Sequence, residues 1–301
     1  MDSYDIVCVQ EHWLAKQELN QLNNLHSNFL GFGVSPVNYE THLKGRNYGG
    51  VGIVWKQSIE SYIQPLQLEN ELDWMCGLYF NTANSKLLIL NVYLPCDNVA
   101  NVELYLERMG VILSIIQECD TTSVLIVGDF NSDILDTCND SVLGPLLIDF
   151  CNENNLLLAD KLSLPPDTYT FVSDVWGSVS WLDHAICTQD AKDCIRNIYI
   201  DQRFMSDHLP LVLELNLNVL PCLSPEDRVS SKINSGKVPI TSIHEYAKTS
   251  DCKLKQITFS FDDVNCLDCN CSNKNHIASL EHLYDDIVNA LMLSSDIWQR
   301  I

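Results

Sequence analysis

The stretch SVLIVGDFN, residues 123–131, decides the fold, because an uninterrupted apolar run in it ends abruptly on an acid and an amide. A short apolar run bounded by glycine and polar residues is typical of a strand that is buried on both faces. A charge at the end of such a strand is costly unless it has a partner. The stretch therefore predicts a buried strand that brings Asp129 and Asn131 to a functional edge of a sheet.

The same arrangement recurs along the first two thirds of the chain. Strands are predicted at 6–9, 48–55, 87–95, 182–186 and 209–217. The polar residues at or near strand ends are Glu11, Tyr93, Asp129, Asn131, Asp183, His184, Asp207 and His208. Any one of them alone is also consistent with an ordinary strand end. Together on one rim they would form a carboxylate-rich pocket of the kind that binds hard divalent cations.

Helices separate these strands and set the fold class. Residues 102–118 predict an amphipathic helix, and residues 141–154 predict a second helix. The apolar face of the first helix is expected to comprise Val102, Tyr105, Leu106, Met109, Leu113 and Ile116. Strands and helices in this order predict an α/β fold in which two packed sheets are flanked by helices.

The domain organisation follows from a change in composition after residue 217. A stretch rich in Pro and Ser at 218–239 predicts a linker. Residues 240–301 then form a separate short segment whose last part, from Ile277, predicts an amphipathic helix. We therefore expect a main domain at 1–217, a linker at 218–239 and a helical tail at 240–301.

The charge balance limits the possible functions. The chain of 301 residues has 40 acidic and 18 basic side chains and a net charge of −22. A protein that coats nucleic acid non-specifically would be basic, so this composition argues against that class. It is compatible with an enzyme that reaches phosphates through metal ions, because a bound divalent cation reverses the local field.

The composition also indicates a compartment. No apolar run is long enough to span a membrane, and the first residues lack the basic head of a signal peptide. We therefore expect a nuclear or cytoplasmic protein that is not secreted and has no membrane partner. In that setting the 13 cysteines are expected to be mainly reduced thiols, with Cys8, Cys76 and Cys187 in the core.

The strand-end motifs resemble those of the endonuclease/exonuclease/phosphatase family. The motifs are Val9-Gln10-Glu11, Asn91-Val92-Tyr93-Leu94-Pro95, Gly128-Asp129-Phe130-Asn131, Ser180-Trp181-Leu182-Asp183-His184 and Ser206-Asp207-His208. The resemblance covers about residues 4 to 217. Within the family, the stretches 10–14, 49–52 and 168–171 are most similar to the endonucleases of LINE-type (non-LTR) retrotransposons, and the chain also resembles abasic-site endonucleases and DNase I.

This resemblance implies a fold and an activity. The fold would be a four-layered α/β sandwich of two mostly antiparallel sheets flanked by helices, as in DNase I. The activity would be metal-dependent hydrolysis of a DNA phosphodiester bond that leaves a 3′ hydroxyl and a 5′ phosphate, with Mg²⁺ or Mn²⁺ as cofactor. In a retrotransposon this domain would nick the target DNA, and a reverse transcriptase region of the same polyprotein would be its partner.

The resemblance also assigns roles at the centre of the site. Glu11 would ligate the metal ion, and Asp207 would support the metal site from the other side. Asp129 would orient and deprotonate the attacking water. Asn131 and Tyr93 would donate hydrogen bonds to the phosphate, which a carboxylate cannot do.

Further roles concern the residues around this centre. His208 would protonate or hydrogen-bond the phosphate, and Asp183 would hold the ring of His208 in its orientation. Thr170 and Ser180 would either contact the phosphate or serve only as strand and turn residues. His184, on the strand after Asp183, is expected to be structural.

The two ends of the chain carry further expectations. The family pattern begins one strand earlier, with an asparagine that helps to bind metal, so the resemblance implies an N-terminally truncated domain. The tail resembles the connector that follows the endonuclease in LINE-type polyproteins. Its four possible ligands for a Cys₃His zinc site are Cys266, Cys269, Cys271 and His276. The alternative is a cysteine-rich turn before the last helix.

Two alternatives to a DNA endonuclease stay open. One is an enzyme of the same fold that acts on a phosphoester other than nucleic acid, such as an inositol phosphate or sphingomyelin. The other is a catalytically impaired relic or binding module, which the implied loss of the first strand favours. The residues that oppose this second alternative are Glu11, Asp129, Asn131, Asp183, Asp207 and His208.

Overall fold

The computed structural model describes most of the first 219 residues and a few further residues. The described residues are 3–41, 45–68, 72–82, 85–135, 141–173, 177–203, 206–219, 253–257, 282, 286 and 287. The chain divides into two compact units, Met1–Ser230 and Ser231–Ile301. The predicted cysteine and histidine zinc ligands of the tail lie outside the described residues, and the fold and site below belong to the first unit.

The first unit has thirteen strands and four α-helices among its described residues. The strands are β1 (Ile6–Gln10), β2 (Phe29–Val34), β3 (Val51–Lys56), β4 (Ile63–Pro65), β5 (Met75–Asn81), β6 (Lys86–Tyr93), β7 (Val124–Asp129), β8 (Leu157–Leu158), β9 (Phe171–Val172), β10 (Val179–Ser180), β11 (Asp183–Cys187), β12 (Ile195–Ile200) and β13 (Leu211–Leu215). The helices are α1 (Val102–Glu118), α2 (Leu143–Glu153), α3 (Ala159–Ser163) and α4 (Gln189–Cys194). Short 3₁₀ helices lie at Lys16–Asn24, Gln57–Tyr62, Val99–Asn101 and Leu217–Val219.

The sheets place the ends of three strands side by side. The largest sheet has the order β4-β5-β6-β7-β11-β8, and a three-stranded sheet has the order β1-β3-β2. Strands β6 and β7 are parallel, so the chain must cross over between them, and α1 makes this crossover. Because β11 then runs antiparallel to β7, Tyr93, Asp129 and Asp183 pair in one row across three neighbouring strands.

Gly128 makes the close pairing of β6 and β7 possible. Its φ is +137°, a backbone conformation that residues with a Cβ rarely adopt. A Cβ at this position would lie 2.1 Å from the carbonyl oxygen of Val92 on the neighbouring strand. The glycine just before Asp129 is therefore required by the geometry of the strand pair that carries the site.

Two apolar clusters cover the two faces of the large sheet. On one face Leu88, Leu90 and Val92 pack with helix residues such as Tyr105 and Leu147. On the other face the residues in contact are Leu87, Ile89, Leu125, Val51, Ile53 and Trp55, so the three-stranded sheet packs there. The prediction of an α/β sandwich of mostly antiparallel sheets flanked by helices is thus confirmed.

Helix α1 has the predicted bounds but a different buried face. Leu106 was expected in the core and is 49% exposed, whereas Ile112 is fully buried. The buried positions of the helix are Tyr105, Met109 and Ile112, spaced four and three residues apart. The difference arises because the apolar residues of α1 extend more than halfway round the helix, and packing on β6 and α2 selects among them.

The cysteines and the membrane prediction fit the same picture. Each cysteine within the described ranges is a free thiol; Cys76 and Cys187 are buried and Cys8 is partly buried. No helix among the described residues has both the length and the apolar character needed to cross a membrane.

Candidate active site

Asp129 and Asn131 form a tight turn at the end of β7. The carboxylate of Asp129 is buried and accepts hydrogen bonds from the backbone N–H of Asn131, at 2.9 Å, and from its Nδ2, at 3.2 Å. Asn131 has a φ of +50°, which an Asn tolerates better than most residues. Its Nδ2 also donates to the carbonyl oxygen of Leu94 at 2.9 Å. The turn therefore fixes the direction of both side chains at the edge of the sheet.

His208 lies between two carboxylates. Its Nδ1 is 2.8 Å from Oδ2 of Asp183, and its Nε2 is 4.0 Å from Oδ2 of Asp129. The ring packs against Phe171, with centroids 5.0 Å apart. Possible ligand atoms of Asp129, Asp183 and His208 all lie within 4.8 Å of one another, so these three residues could hold a metal ion when the ring of His208 is neutral.

The charges in this group shift the pKa of two of its members. Burial raises the pKa of Asp129 to about 7, and the nearby charge of Asp183 adds to the rise, while the charge of His208 opposes it. For His208, burial alone would lower the pKa, but the hydrogen bond and charge of Asp183, with Asp129 and Asp207, raise it to about 9. At neutral pH the site thus combines an imidazolium with a carboxyl group that can exchange a proton, as acid–base chemistry requires.

Glu11 and Tyr93 form a second contact on the same edge. The phenol of Tyr93 donates a hydrogen bond to Oε1 of Glu11 at 2.5 Å. Burial raises the pKa of Tyr93 above its usual range, and the hydrogen bond to Glu11 raises it further, so the phenol stays a neutral donor. Nη1 of Arg108, on α1, donates to the carbonyl oxygen of Tyr93 at 3.1 Å and holds the end of β6 in place.

The two predicted metal ligands lie outside the Asp129–Asp183–His208 group. Glu11 is exposed and is tied to Tyr93. Asp207 is exposed, and its Oδ1 accepts a hydrogen bond from the backbone N–H of His208 at 3.1 Å. The prediction that Glu11 and Asp207 share a metal ion stays a prediction.

Thr170 lies beneath the site rather than on its surface. It is fully buried, and its Oγ1 accepts hydrogen bonds from the backbone N–H groups of Leu182, at 3.0 Å, and Asp183, at 2.9 Å. Its carbonyl oxygen accepts from Leu209 N. Thr170 therefore joins the strand of Asp183 to the segment of His208. Ser180 is partly buried on β10, and its carbonyl oxygen accepts from Thr170 N at 3.0 Å.

His184 takes part in a buried network that the sequence reasoning only partly identified. Its Nδ1 is 2.8 Å from Oδ2 of Asp160, and its Nε2 is 2.8 Å from the carbonyl oxygen of Ser132. Oδ1 of Asp160 accepts a hydrogen bond from Ala185 N at 3.1 Å. The sequence did carry a signal for Asp160, since the apolar run 156–159 ends on it as other runs end on site residues.

These parts together define the chemistry that the site can perform. A carboxyl group with a pKa near neutrality, an Asp–His pair and a phenol lie at one edge of a two-sheet sandwich. Carboxylate oxygens are the ligands that Mg²⁺ and similar hard cations prefer, so the donor set fits such an ion. The arrangement can hold a cation and move a proton next to it, as the cleavage of a phosphoester requires.

The family of the chain agrees with this class of site. The model of the Endonuclease/Exonuclease/phosphatase family matches residues 1–208, and the chain belongs to that family. The members of the family and several similar solved structures are hydrolytic nucleases and phosphatases.

Solved structures confirm the fold at low sequence identity. The endonuclease domain of TRAS1, a telomere-specific non-LTR retrotransposon, is 18% identical with a TM-score of 0.53, over 72% of this chain and 88% of that domain. The AP endonuclease LMAP from Leishmania major is 14% identical with a TM-score of 0.57, over 70% of this chain and 78% of that one. The 3′-5′ exonuclease NExo from Neisseria meningitidis is 15% identical with a TM-score of 0.53, over 70% and 89%.

A curated relative is longer than this chain. Craniofacial development protein 2 from Tragulus javanicus is 24% identical in an alignment of 241 residues that covers 69% of this chain and 40% of the relative. The chain thus spans about 40% of the length of that relative.

Proposed function

We propose that this chain is a metal-dependent DNA endonuclease, the target-nicking domain of a LINE-type retrotransposon. The observation that carries the proposal is the group of Asp129, Asp183 and His208. Asp129 and Asp183 pair at the ends of adjacent strands, with Tyr93 in the same row, and His208 comes from a separate segment. The likeness in fold to the endonuclease domain of TRAS1 and to AP endonucleases supports DNA as the substrate.

The reaction would be hydrolysis of one phosphodiester bond. Mg²⁺ or Mn²⁺, held by Glu11 and Asp207, would supply positive charge that neutralises the phosphate and the leaving oxygen. Asp129 would accept a proton from the attacking water, for which its pKa of about 7 suits it. The new bond would form between the water oxygen and phosphorus, the bond from phosphorus to the 3′ oxygen would break, and the 3′ oxygen would take up a proton from His208 or from solvent. The products would be a 3′ hydroxyl and a 5′ phosphate.

The other polar groups would stabilise the negative charge that develops on the phosphate. Because Nδ1 of His208 binds Asp183, its Nε2 is the nitrogen that can face the substrate. With a pKa of about 9, His208 carries the proton that this contact needs. Tyr93 would add a neutral donor, and Nδ2 of Asn131 would exchange one of its present contacts for a phosphate oxygen.

The proposed partners are those that the resemblance to LINE-type retrotransposon endonucleases implies. DNA would be the substrate, and a reverse transcriptase region of a full-length polyprotein would use the 3′ hydroxyl as a primer. A protein that acts on DNA in this way would work in the nucleus, or would be found in the cytoplasm before it enters the nucleus.

The experiment that tests the proposal is nicking of a supercoiled plasmid with Mg²⁺, with Mn²⁺ and with EDTA. We expect nicking that needs the metal ion and that falls by at least about 100-fold in His208→Ala, the loss typical of a removed general acid. The matched control is His26→Ala, a histidine that packs on Phe29 in another part of the domain. A DNA polymerase should extend the nicked strand, because the product has a 3′ hydroxyl.

The two alternatives give different results. A folded chain that is inert on DNA but releases phosphate from an inositol phosphate would be a phosphatase of the same fold. A folded chain that is inert on both substrates with either metal ion would be an impaired relic or a binding module. Either result overturns the proposed function.

A further inference from the structure

The segment just after Glu11 has an unusual backbone. Glu11 has a φ of +52° and Trp13 a φ of +56°, both in the left-handed region that residues other than glycine seldom adopt. Such conformations persist only where the surrounding structure fixes them, and they cluster at functional sites. The question is what the left-handed conformation of Trp13 achieves.

The loop of residues 45–50 fixes this segment. Trp13 N donates a hydrogen bond to the carbonyl oxygen of Gly49 at 3.1 Å. The ring of His12 lies so close to Gly50 that a Cβ there would be 2.3 Å from it. Nε2 of His12 is 3.1 Å from the carbonyl oxygen of Val34. Residues 11–13 are thus held against this loop, with His12 packed inward.

As a result, the side chain of Trp13 is partly exposed and lies beside the cationic side chain of Arg46. Trp13 is 43% exposed, and the guanidinium carbon of Arg46 lies 3.8 Å from the centroid of its ring. Arg46 is itself exposed. A guanidinium that stacks on a ring keeps the N–H groups at its edge, and these match the geometry of a phosphate. We call Trp13 and Arg46 the Trp–Arg pair.

Because the whole chain is acidic, a cation close to Glu11 indicates where DNA would bind. With a net charge of −22, the protein repels a polyanion in general, so attraction has to come from local cations. Arg46 is such a cation, and it stacks on a residue two positions from Glu11, the expected metal ligand. Two residues of chain span at most about 7 Å. That distance corresponds to roughly two nucleotides along a DNA strand, at about 3.4 Å each.

We propose that the Trp–Arg pair binds the DNA strand within about two nucleotides of the cleaved bond. Arg46 would bind a phosphate, and the ring of Trp13 would pack against the sugar of the neighbouring nucleotide. Aromatic and arginine side chains in combination are typical of surfaces that bind nucleic-acid strands. The inference rests on the proposed function for DNA as the ligand and for Glu11 as the residue that marks the cleaved bond, whereas the binding itself requires no cleavage.

The test is the affinity of the full chain for a fluorescein-labelled 20-base-pair DNA duplex, followed by fluorescence anisotropy in EDTA so that no cleavage occurs. We expect Trp13→Ala and Arg46→Ala each to raise the Kd about tenfold, within the range for stacking and phosphate contacts. Arg46→Ala should also reduce the dependence of log Kd on log salt by about one phosphate contact. Arg46→Lys, which keeps the charge but not the planar group, should lie between wild type and Arg46→Ala.

Matched controls separate this site from a general effect of charge or exposure. Tyr62 is an exposed aromatic residue that stacks on Phe80, and Arg196 is exposed on β12. Tyr62→Ala and Arg196→Ala should leave the Kd within twofold of wild type. Hydrolysis of the small diester bis(4-nitrophenyl) phosphate with Mn²⁺ should be unchanged in Tyr62→Ala and Arg196→Ala, because neither residue belongs to the site or to the Trp–Arg pair.

The outcomes separate this inference from the proposed function. If wild type and the Trp13 and Arg46 variants bind the duplex equally, or if wild type does not bind it, the inference is wrong. If wild type binds the duplex and loses affinity in these variants but never nicks a plasmid, DNA binding by the Trp–Arg pair stands and the proposed function fails. Trp13→Phe provides a check on folding, since it keeps an aromatic ring and should retain most of the affinity.

Discussion

Two Asp–His pairs lie on consecutive residues of β11 and differ in exposure. Asp183 pairs with His208 and His184 pairs with Asp160, and in both the Nδ1–Oδ2 distance is 2.8 Å. In the first, which we call the open pair, the side chain of the histidine is 34% exposed and that of the carboxylate 14%. In the second, the closed pair, both are 0% exposed. Alternation along a strand sends one pair to the site and the other to the core.

The role of an Asp–His pair depends on the contacts of Nε2, the ring nitrogen that does not bind the aspartate. In the closed pair every polar atom of the ring has a partner, since Nε2 of His184 binds Ser132 O. In the open pair Nε2 of His208 is 4.0 Å from Asp129, which is too far for a hydrogen bond. The open pair can therefore act on a substrate, and the closed pair can only stabilise the fold.

The largest effect is expected on activity when the open pair is broken. His208→Ala should lower plasmid nicking by about 10²–10⁴-fold, the contribution of a general acid or base. A folded-state pKa of about 9 means that the protonated ring also stabilises the fold at neutral pH, so the melting temperature should fall while the variant stays folded. Nicking rates and thermal unfolding of the same preparations check this prediction, and a folded His208→Ala variant that nicks at the wild-type rate would refute the functional role assigned to the pair.

Breaking the closed pair should instead reduce stability. His184→Ala leaves the carboxylate of Asp160 buried without its partner, so the free energy of unfolding should fall by about 3–5 kcal/mol. The double variant Asp160→Leu/His184→Leu should recover part of this loss, since it leaves no buried charge unpaired. Urea denaturation followed by circular dichroism measures both, and a loss below about 1 kcal/mol in His184→Ala would contradict the comparison.

A smaller effect is expected at Thr170, which supports the open pair from below. Thr170→Val keeps the shape but leaves the N–H groups of Leu182 and Asp183 without their acceptor, at a cost of about 1–3 kcal/mol. Thr170→Ser retains the hydroxyl and is the control. If Thr170 acts on the phosphate as well, Thr170→Val would also lower nicking under conditions where the variant is fully folded.

The smallest effect is a dependence of the closed pair on pH. Burial alone would lower the pKa of His184, but the charge and hydrogen bond of Asp160 outweigh burial and raise it. A raised pKa in the folded state means that the stabilisation is complete below the ordinary pKa of about 6.5 and is lost as pH rises through the raised value.

The measurement compares wild type with the double leucine variant of the closed pair, which lacks both ionisable side chains. The difference in unfolding free energy between them should be more favourable to wild type at about pH 6 than at about pH 9. A difference that stays constant or grows with pH would show that the proton on His184 does not contribute to stability.

The sequence predicted much of this architecture for a physical reason. Long apolar runs such as 123–131 admit few structures other than a buried strand, and residues 102–118 have a clear helical period. The polar residues at or near the ends of the predicted strands include Asp129, Asp183 and His208, which the structure brings together. Contacts between distant residues could not be predicted in this way. Asp160 meets His184 only after folding, across 24 residues of chain.

Local backbone conformation also could not be predicted from the pattern of residue types. The left-handed backbone at Glu11 and Trp13 depends on the loop that packs against it, and the sequence QEHWL contains no glycine to suggest it. The choice of Ile112 over Leu106 for the core of α1 depends on the neighbouring strand and helix, since both residues are apolar.

Gly128 has a consequence for mutation at the level of the gene. A Cβ at this position would meet the backbone of Val92 and not a side chain that could move aside. Every missense change in the codon for Gly128 adds a Cβ atom. We therefore expect no substitution at Gly128 to be tolerated while β6 and β7 stay paired. When copies of the gene are compared, a missense change in the Gly128 codon would therefore identify a copy whose protein no longer holds together the site residues at the ends of β6 and β7.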